Sequence, residues 1–301
     1  MRTLMKVSPS LRRWCARSAM AGLIAATFAA YCHPAPALAA TDSAPAIQRS
    51  AAAAVKPPDA ATVMYFIYQI DGKGETSYEV ANGSIATYWF GHAFESEGQH
   101  YYTGFVWKTA QRYGKPGEDQ VGPGTQVNIA ESTFVLNDPA SERPWKFLGM
   151  EPAIGEFGAY ERAPEVDTRR KPVEYRTPAG KLLLAVPDTS FDNGINSDGY
   201  TLLVFDPQQL KPESDNNVWT YVGSILTGED NSAACSDGEV MPCTSSAGEL
   251  VFTAATGNDM PRVTVKPSGT TISGPNKTRQ LGAADVTHYT FDAKTKRYVS
   301  P

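Results

Sequence analysis

Three groups of side chains in this sequence are of types that do chemistry. His92, Glu95, Glu97, His100 and Tyr102 fall within Ser84–Lys108, SIATYWFGHAFESEGQHYYTGFVWK. A chain reversal at Glu97-Gly98 would bring the two imidazoles near one another, where they could hold a metal or pass a proton. Asp192–Gly199, DNGINSDG, offers Asp192, Asn196 and Asp198 as oxygen donors for Ca2+. Gly194 interrupts the alternate-position spacing an EF-hand needs, and a plain turn between strands fits the same residues. The third group is Glu156 with Glu229 and Asp230, each glutamate following a glycine and lying ten or eleven residues after a tryptophan. Paired carboxylates of this kind can do acid–base work on a glycan, although duplication of a turn accounts for the equivalence as well.

The hairpin that carries His92 and His100 is also dense in aromatic residues. Trp89, Tyr101, Tyr102 and Trp107 together with the two histidines make a candidate surface for a carbohydrate or protein partner. The sequence has no Gly-x-Ser-x-Gly elbow, phosphate loop, dinucleotide fingerprint or His-Glu-x-x-His pair. No constellation identifies an activity. The expectation is therefore an exported binding or scaffold protein rather than an enzyme, with a secreted hydrolase acting on glycans as the alternative.

Export is read from the first 39 residues. Arg2, Lys6, Arg12, Arg13 and Arg17 precede an apolar run, Ser18–Tyr31, then Pro34, Pro36 and a small-x-small Ala37-Leu38-Ala39. That order makes a cleavable signal peptide, and the run falls short of the roughly 20 residues a bilayer span requires. A periplasmic or extracellular location follows, with no membrane span after cleavage. Cleavage leaves 22 basic against 32 acidic side chains, moving the formal charge from −5 to about −10. So acidic a surface repels phosphate backbones, which excludes nucleic acid as a partner. Cys235 and Cys243, with seven residues between them, remain as the sole pair of the mature chain and predict a local disulfide.

The elements that would position these groups are strands. Residues 40–61, rich in Ala and Pro, read as a disordered tether, and 62–301 as one all-β domain with no sustained helical period. A phrase recurs: apolar strand, Asp, polar loop, then a strand led by an aromatic. It stands as Thr133–Gly149 and Thr201–Gly223, and in degenerate form as Phe66–Val80 and His288–Val299. The aspartates Asp71, Asp138, Asp206 and Asp292 are spaced 67, 68 and 86 residues apart, defining units of about 70 residues. Each Asp should accept backbone hydrogen bonds and end its strand, and each aromatic should cover the hairpin. The phrase resembles the outer hairpin of kelch-like and integrin-type blades. That implies a β-propeller-like stack of repeated antiparallel hairpins, and Asn196-Ser197-Asp198-Gly199 resembles a calcium loop of the integrin-type blades. A two-sheet β-sandwich built by duplication fits the strand count equally.

Overall fold

The computed structural model describes residues 55–211, 216–256 and 259–300. The expected signal peptide, residues 1–39, and residues 40–54 of the expected tether lie outside the described residues. The chain is mostly β, in three antiparallel sheets, none of which closes on itself. The first is a meander, β1 (Ser77–Glu79), β2 (Ile85–Ser96), β3 (Gln99–Lys108), β4 (Val127–Leu136) and β5 (Trp145–Phe157). The second joins β6 (Glu165–Val166), β7 (Val173–Arg176), β8 (Leu182–Asp192), β9 (Ile195–Phe205) and β10 (Trp219–Asp230). Its order is β10-β9-β8-β6, with β7 also on β8. The third holds β11 (Ser246–Thr253), β12 (Arg262–Gly274), β13 (Lys277–Gln280), β14 (Thr287–Asp292) and β15 (Arg297–Val299), in the order β11-β12-β14-β15 with β13 on β12.

The sheets stack face to face in chain order. Alternation along the strands shows why. Leu182, Leu184, Val186, Leu203 and Phe205 of the middle sheet pack with Phe94, Phe105, Ile129 and Phe157 of the first. Their neighbours Leu183, Ala185, Leu202 and Val204 point the other way, onto Met260, Val263, Val265 and Tyr298 beside the third. A sheet covered on both faces needs apolar residues at every position, and this is the reason for the unbroken runs LLLAV and TLLVF.

The first sheet's outer face is closed by a helix, α1 (Ala60–Tyr68), which corrects two expectations. The opening copy of the phrase, Phe66–Val80, is no hairpin, because its first three residues are helical. The tether is also shorter than expected, since the Lys56 carbonyl already accepts the Trp145 indole N–H at 2.9 Å. Asp59 caps α1, its carboxylate accepting from the Thr62 amide at 2.9 Å and the Thr62 hydroxyl at 2.7 Å. Val63, Met64 and Ile67, one turn apart, are buried against Ala86, Val106, Ala130 and Phe134. Gly104 makes room: a Cβ there would lie 2.8 Å from a methyl of Val63. With only nine residues, the helix is held by this packing rather than by propensity.

The other three copies are hairpins, β4–β5, β9–β10 and β14–β15. Their aspartates act alike. Asp138 accepts from the amide of Ala140 at 3.0 Å, Asp206 from Gln208 at 3.1 Å and Asp292 from Lys294 at 2.8 Å, each two residues on. Trp219 and Tyr298 on the return strands are buried.

Candidate functional site

Between the middle and third sheets, at the end where β9 stops and β10 begins, lies a cavity of about 250 Å3. Two copies of the repeated hairpin build it. Val204 and Val222, from the strands around Asp206, form the floor with Met260 and with Phe291 of the β14–β15 hairpin. Thr220, Ala293 and Lys296 stand at the rim. Lys181, from the turn ahead of β8, extends its ammonium to 3.4 Å from Asp206 Oδ2 and 3.8 Å from Asp259 Oδ2. Neither distance is that of a hydrogen bond within 2.7–3.2 Å. Asp206 is fixed by its turn, and Asp259 by accepting the Ala179 amide at 3.1 Å. The other oxygen of Asp259 is buried and finds no hydrogen-bond partner among the described residues. The site thus combines an apolar floor with the charged side chains of Lys181, Asp206 and Lys296, while Asp259, the second carboxylate near Lys181, does not line the cavity.

The histidines are not brought together. The turn falls at Glu97-Gly98 as expected, both at positive φ, but the register pairs His92 with Thr103 and His100 with Glu95. His92 shares a face with Phe90 and Phe94, its ring stacked between theirs at 5.9 and 6.2 Å. His100 faces the opposite way. His92 Nε2 instead meets Glu174 Oε1 of the middle sheet at 2.7 Å, and Glu174 also accepts Arg176 at 3.0 Å. The hydrogen bond from His92, ahead of the guanidinium of Arg176, holds the Glu174 carboxyl below its ordinary range.

The aromatic surface expected on β2 and β3 is core. Tyr101 is 7% exposed and Tyr102 5%, the latter sharing a hydrogen bond with Tyr88 at 3.0 Å. Trp89 is half-buried, edge-on to Phe157 and donating to the Pro164 carbonyl at 2.8 Å, while Trp107 packs on the same core. Flat strands between two layers must bury their large rings, so aromatic density signalled packing.

Asp192, Asn196 and Asp198 sit on a tight hairpin. Asn193-Gly194 is its two-residue turn, both at positive φ, the chemistry that joins antiparallel strands most tightly. Asn196 accepts the Thr189 hydroxyl at 3.0 Å, and Asp198 pairs across the strands with Thr189. Among the described residues no group of three or more His, Cys, Asp or Glu side chains is placed to hold a metal.

Glu156 and Glu229 are exposed, on β5 and β10, and pair across their strands with Asn128 and Ser197. Asp230 accepts the Ser232 amide at 2.8 Å, and hydrogen bonding to Ser232 holds its carboxyl below the ordinary range. The repeated element is the glycine before each glutamate. A Cβ on Gly155 would lie 2.7 Å from Tyr221 of the middle sheet, and one on Gly228 3.0 Å from Ala247 of the third. Gly248-Glu249 repeats the pair, its glycine facing the Thr227 carbonyl. Cys235 and Cys243 form the expected disulfide, Cα atoms 5.2 Å apart.

Sequence reasoning missed a buried polar chain between the first two sheets. Glu131 accepts the Thr133 hydroxyl at 2.6 Å, Thr133 bonds Thr103 at 2.8 Å, and Thr103 accepts the Trp219 indole N–H at 3.1 Å. Opposite Glu131 on β5, Glu151 takes the amides of Val218 and Trp219 with its two oxygens. Burial, and then the neighbouring Glu151, pushes the Glu131 carboxyl well above its ordinary range. A lone Glu inside the apolar run VNIAESTFVL was the one available signal. Lys181, Asp206 and Asp259 were missed as a group because 53 residues separate the last two. Compared with known proteins, the chain matches no family model, no curated protein and no solved structure.

Proposed function

We propose that this chain is an exported binding or scaffold protein that engages a carbohydrate or envelope-protein partner at the cavity between the middle and third sheets. The cavity itself carries the reading: it is a concavity with an apolar floor ringed by polar side chains, among them Lys181, Asp206, Gln209, Asn217 and Lys296, that can orient a ligand. At about 250 Å3 it is smaller than the roughly 300–1,000 Å3 of drug-sized sites, so one ring-sized moiety would enter rather than an extended chain. The basic, apolar and small-residue order of the first 39 residues supports export. Consecutive sheets stacked in chain order, each with an Asp-ended hairpin, support reading the units as propeller-like blades. The Gly-Glu repetition has a packing cause, so the hydrolase alternative has no observation in its favour.

Ala293 is exposed at the rim, and Ala293→Trp would plug the cavity without touching the core. A ligand at a hundredfold excess over its Kd should add about 2.7 kcal/mol of stability to the unsubstituted protein. Melting in the presence of glycan and envelope fractions checks this. The stabilisation should vanish in Ala293→Trp; stabilisation that survives there would move the site elsewhere.

A further inference from the structure

We infer that the cavity takes a hexuronate, its carboxylate held by Lys296 and its ring laid on the apolar floor. This rests on the cavity being the binding site and adds the chemistry of what fills it.

The charged lining is Lys181 and Lys296 against Asp206, a positive excess in a chain whose formal charge is −5. The two lysines differ. Lys181 Nζ has Asp206 Oδ2 at 3.4 Å and, from outside the lining, Asp259 Oδ2 at 3.8 Å, so its charge is already balanced. Lys296 makes no ion pair with any of the described residues. It stands on the turn of the β14–β15 hairpin, which Asp292 shapes by accepting the Lys294 amide at 2.8 Å and the Thr295 hydroxyl at 3.0 Å. Its own φ is 53°, a backbone conformation that glycine adopts more readily than lysine. Neither the turn nor an ion pair calls for a lysine here, and the cavity is what its ammonium can serve.

The charge of the ligand follows. One unbalanced ammonium matches a monoanion, so a carboxylate suits it, a phosphate dianion exceeds it and a cation meets like charge. The rest of the lining is mixed. Val222, Met260 and Phe291 offer an apolar surface for the C–H face of a sugar ring. A ring hydroxyl beside Lys181 and Asp206 can accept from the one and donate to the other. An aromatic acid would satisfy the floor and Lys296, but would desolvate Asp206 and Thr220 against a ring with no hydroxyl to offer. A carboxylated sugar answers the charge, the polar groups and the floor together.

The test is calorimetric titration of the purified protein at low salt with D-glucuronate, D-galacturonate and D-mannuronate, each paired with its neutral hexose, and with benzoate and inorganic phosphate as further probes. At least one hexuronate should bind at millimolar concentration or below, at least about tenfold more tightly than its hexose, as expected for a hydrogen bond to a charged group. Its affinity should fall several-fold when NaCl is raised to about 0.5 M. Lys296→Gly should weaken binding about tenfold or more while melting no lower than the unsubstituted protein, because glycine suits the left-handed position. Lys296→Met, which removes the ammonium and keeps the bulk, should lose as much. A hexose that matches its hexuronate, or benzoate or phosphate that binds more tightly than every hexuronate, with the binding lost in Ala293→Trp, would overturn the uronate assignment and leave the cavity as the site. Hexuronate binding undiminished by Ala293→Trp would overturn the site itself. Hexuronate affinity unchanged in Lys296→Gly, or no hexuronate binding at millimolar concentration, would overturn this inference.

Discussion

At the residue scale the most consequential side chain is Glu131. Its carboxyl is raised above its usual 4.5, so the fold favours the neutral form. The stability that this neutral carboxyl contributes is present in full at low pH. It declines as pH rises from the unfolded value toward the folded one. Asp188 acts in the same sense: burial raises it from 3.8 to about 6, against the opposing hydrogen bond from Thr201. Stability should therefore fall between about pH 4 and 6 on account of Asp188, and continue to fall beyond on account of Glu131. Glu131→Gln, which keeps an oxygen for Thr133, should melt higher than the unsubstituted protein at pH 8 and match it near pH 4. Melting temperatures measured across that range for both proteins check it, and parallel curves would refute the assignment. The same residue shows where sequence reading stops. Nothing adjacent to Glu131 announces Thr103 or Trp219, which register and sheet stacking bring to it from 28 and 88 residues away. By contrast Asp138, Asp206 and Asp292 were legible, because the hydrogen bond that explains each lies two residues along the same chain.

Among the elements, the strands and hairpins were readable from alternation and turn residues, but the one substantial helix among the described residues was not. Val63, Met64 and Ile67 lie in a segment rich in β-branched and aromatic side chains, and α1 is too short for its period to stand out. Its one plain signal was Asp59 ahead of Ala60-Ala61, and that cap decides the start of the helix. Asp59→Ala should cost about 1 kcal/mol in urea denaturation, with the loss concentrated in faster exchange of the first-turn amides. The sheets depend on their glycines in a comparable way. A Cβ on Gly248 would stand 2.6 Å from the Thr227 carbonyl oxygen, a backbone atom that cannot swing aside, whereas one on Gly149 meets nothing within 4 Å. Gly248→Ala should cost about 1–3 kcal/mol, as overpacking does, and Gly149→Ala should be near neutral. Equal urea midpoints for the two variants would show that the sheets separate easily.

For the whole molecule, stacking makes the middle sheet the shared core. Removing either neighbour would uncover a full row of its leucines and valines. Unfolding should accordingly be a single transition, with tryptophan fluorescence and far-ultraviolet dichroism coinciding; separated transitions would mean that the third sheet melts alone. Trp219, wholly buried against Phe94, Phe105 and Phe205, is the side chain on which the first interface turns. Trp219→Ala should cost about 3–5 kcal/mol. Reduction of Cys235–Cys243 closes no distant loop and should cost only about 2–3 kcal/mol. Stacking in chain order also sets a timetable for synthesis. The first sheet is complete at Phe157, yet the residue that covers Phe105 is Trp219, 62 positions after that end. At roughly 5–20 residues per second the ribosome needs about 3–12 seconds to deliver it. Through that interval the emerging chain carries a finished sheet with one greasy, uncovered face, and that is the stage at which a chaperone would find it.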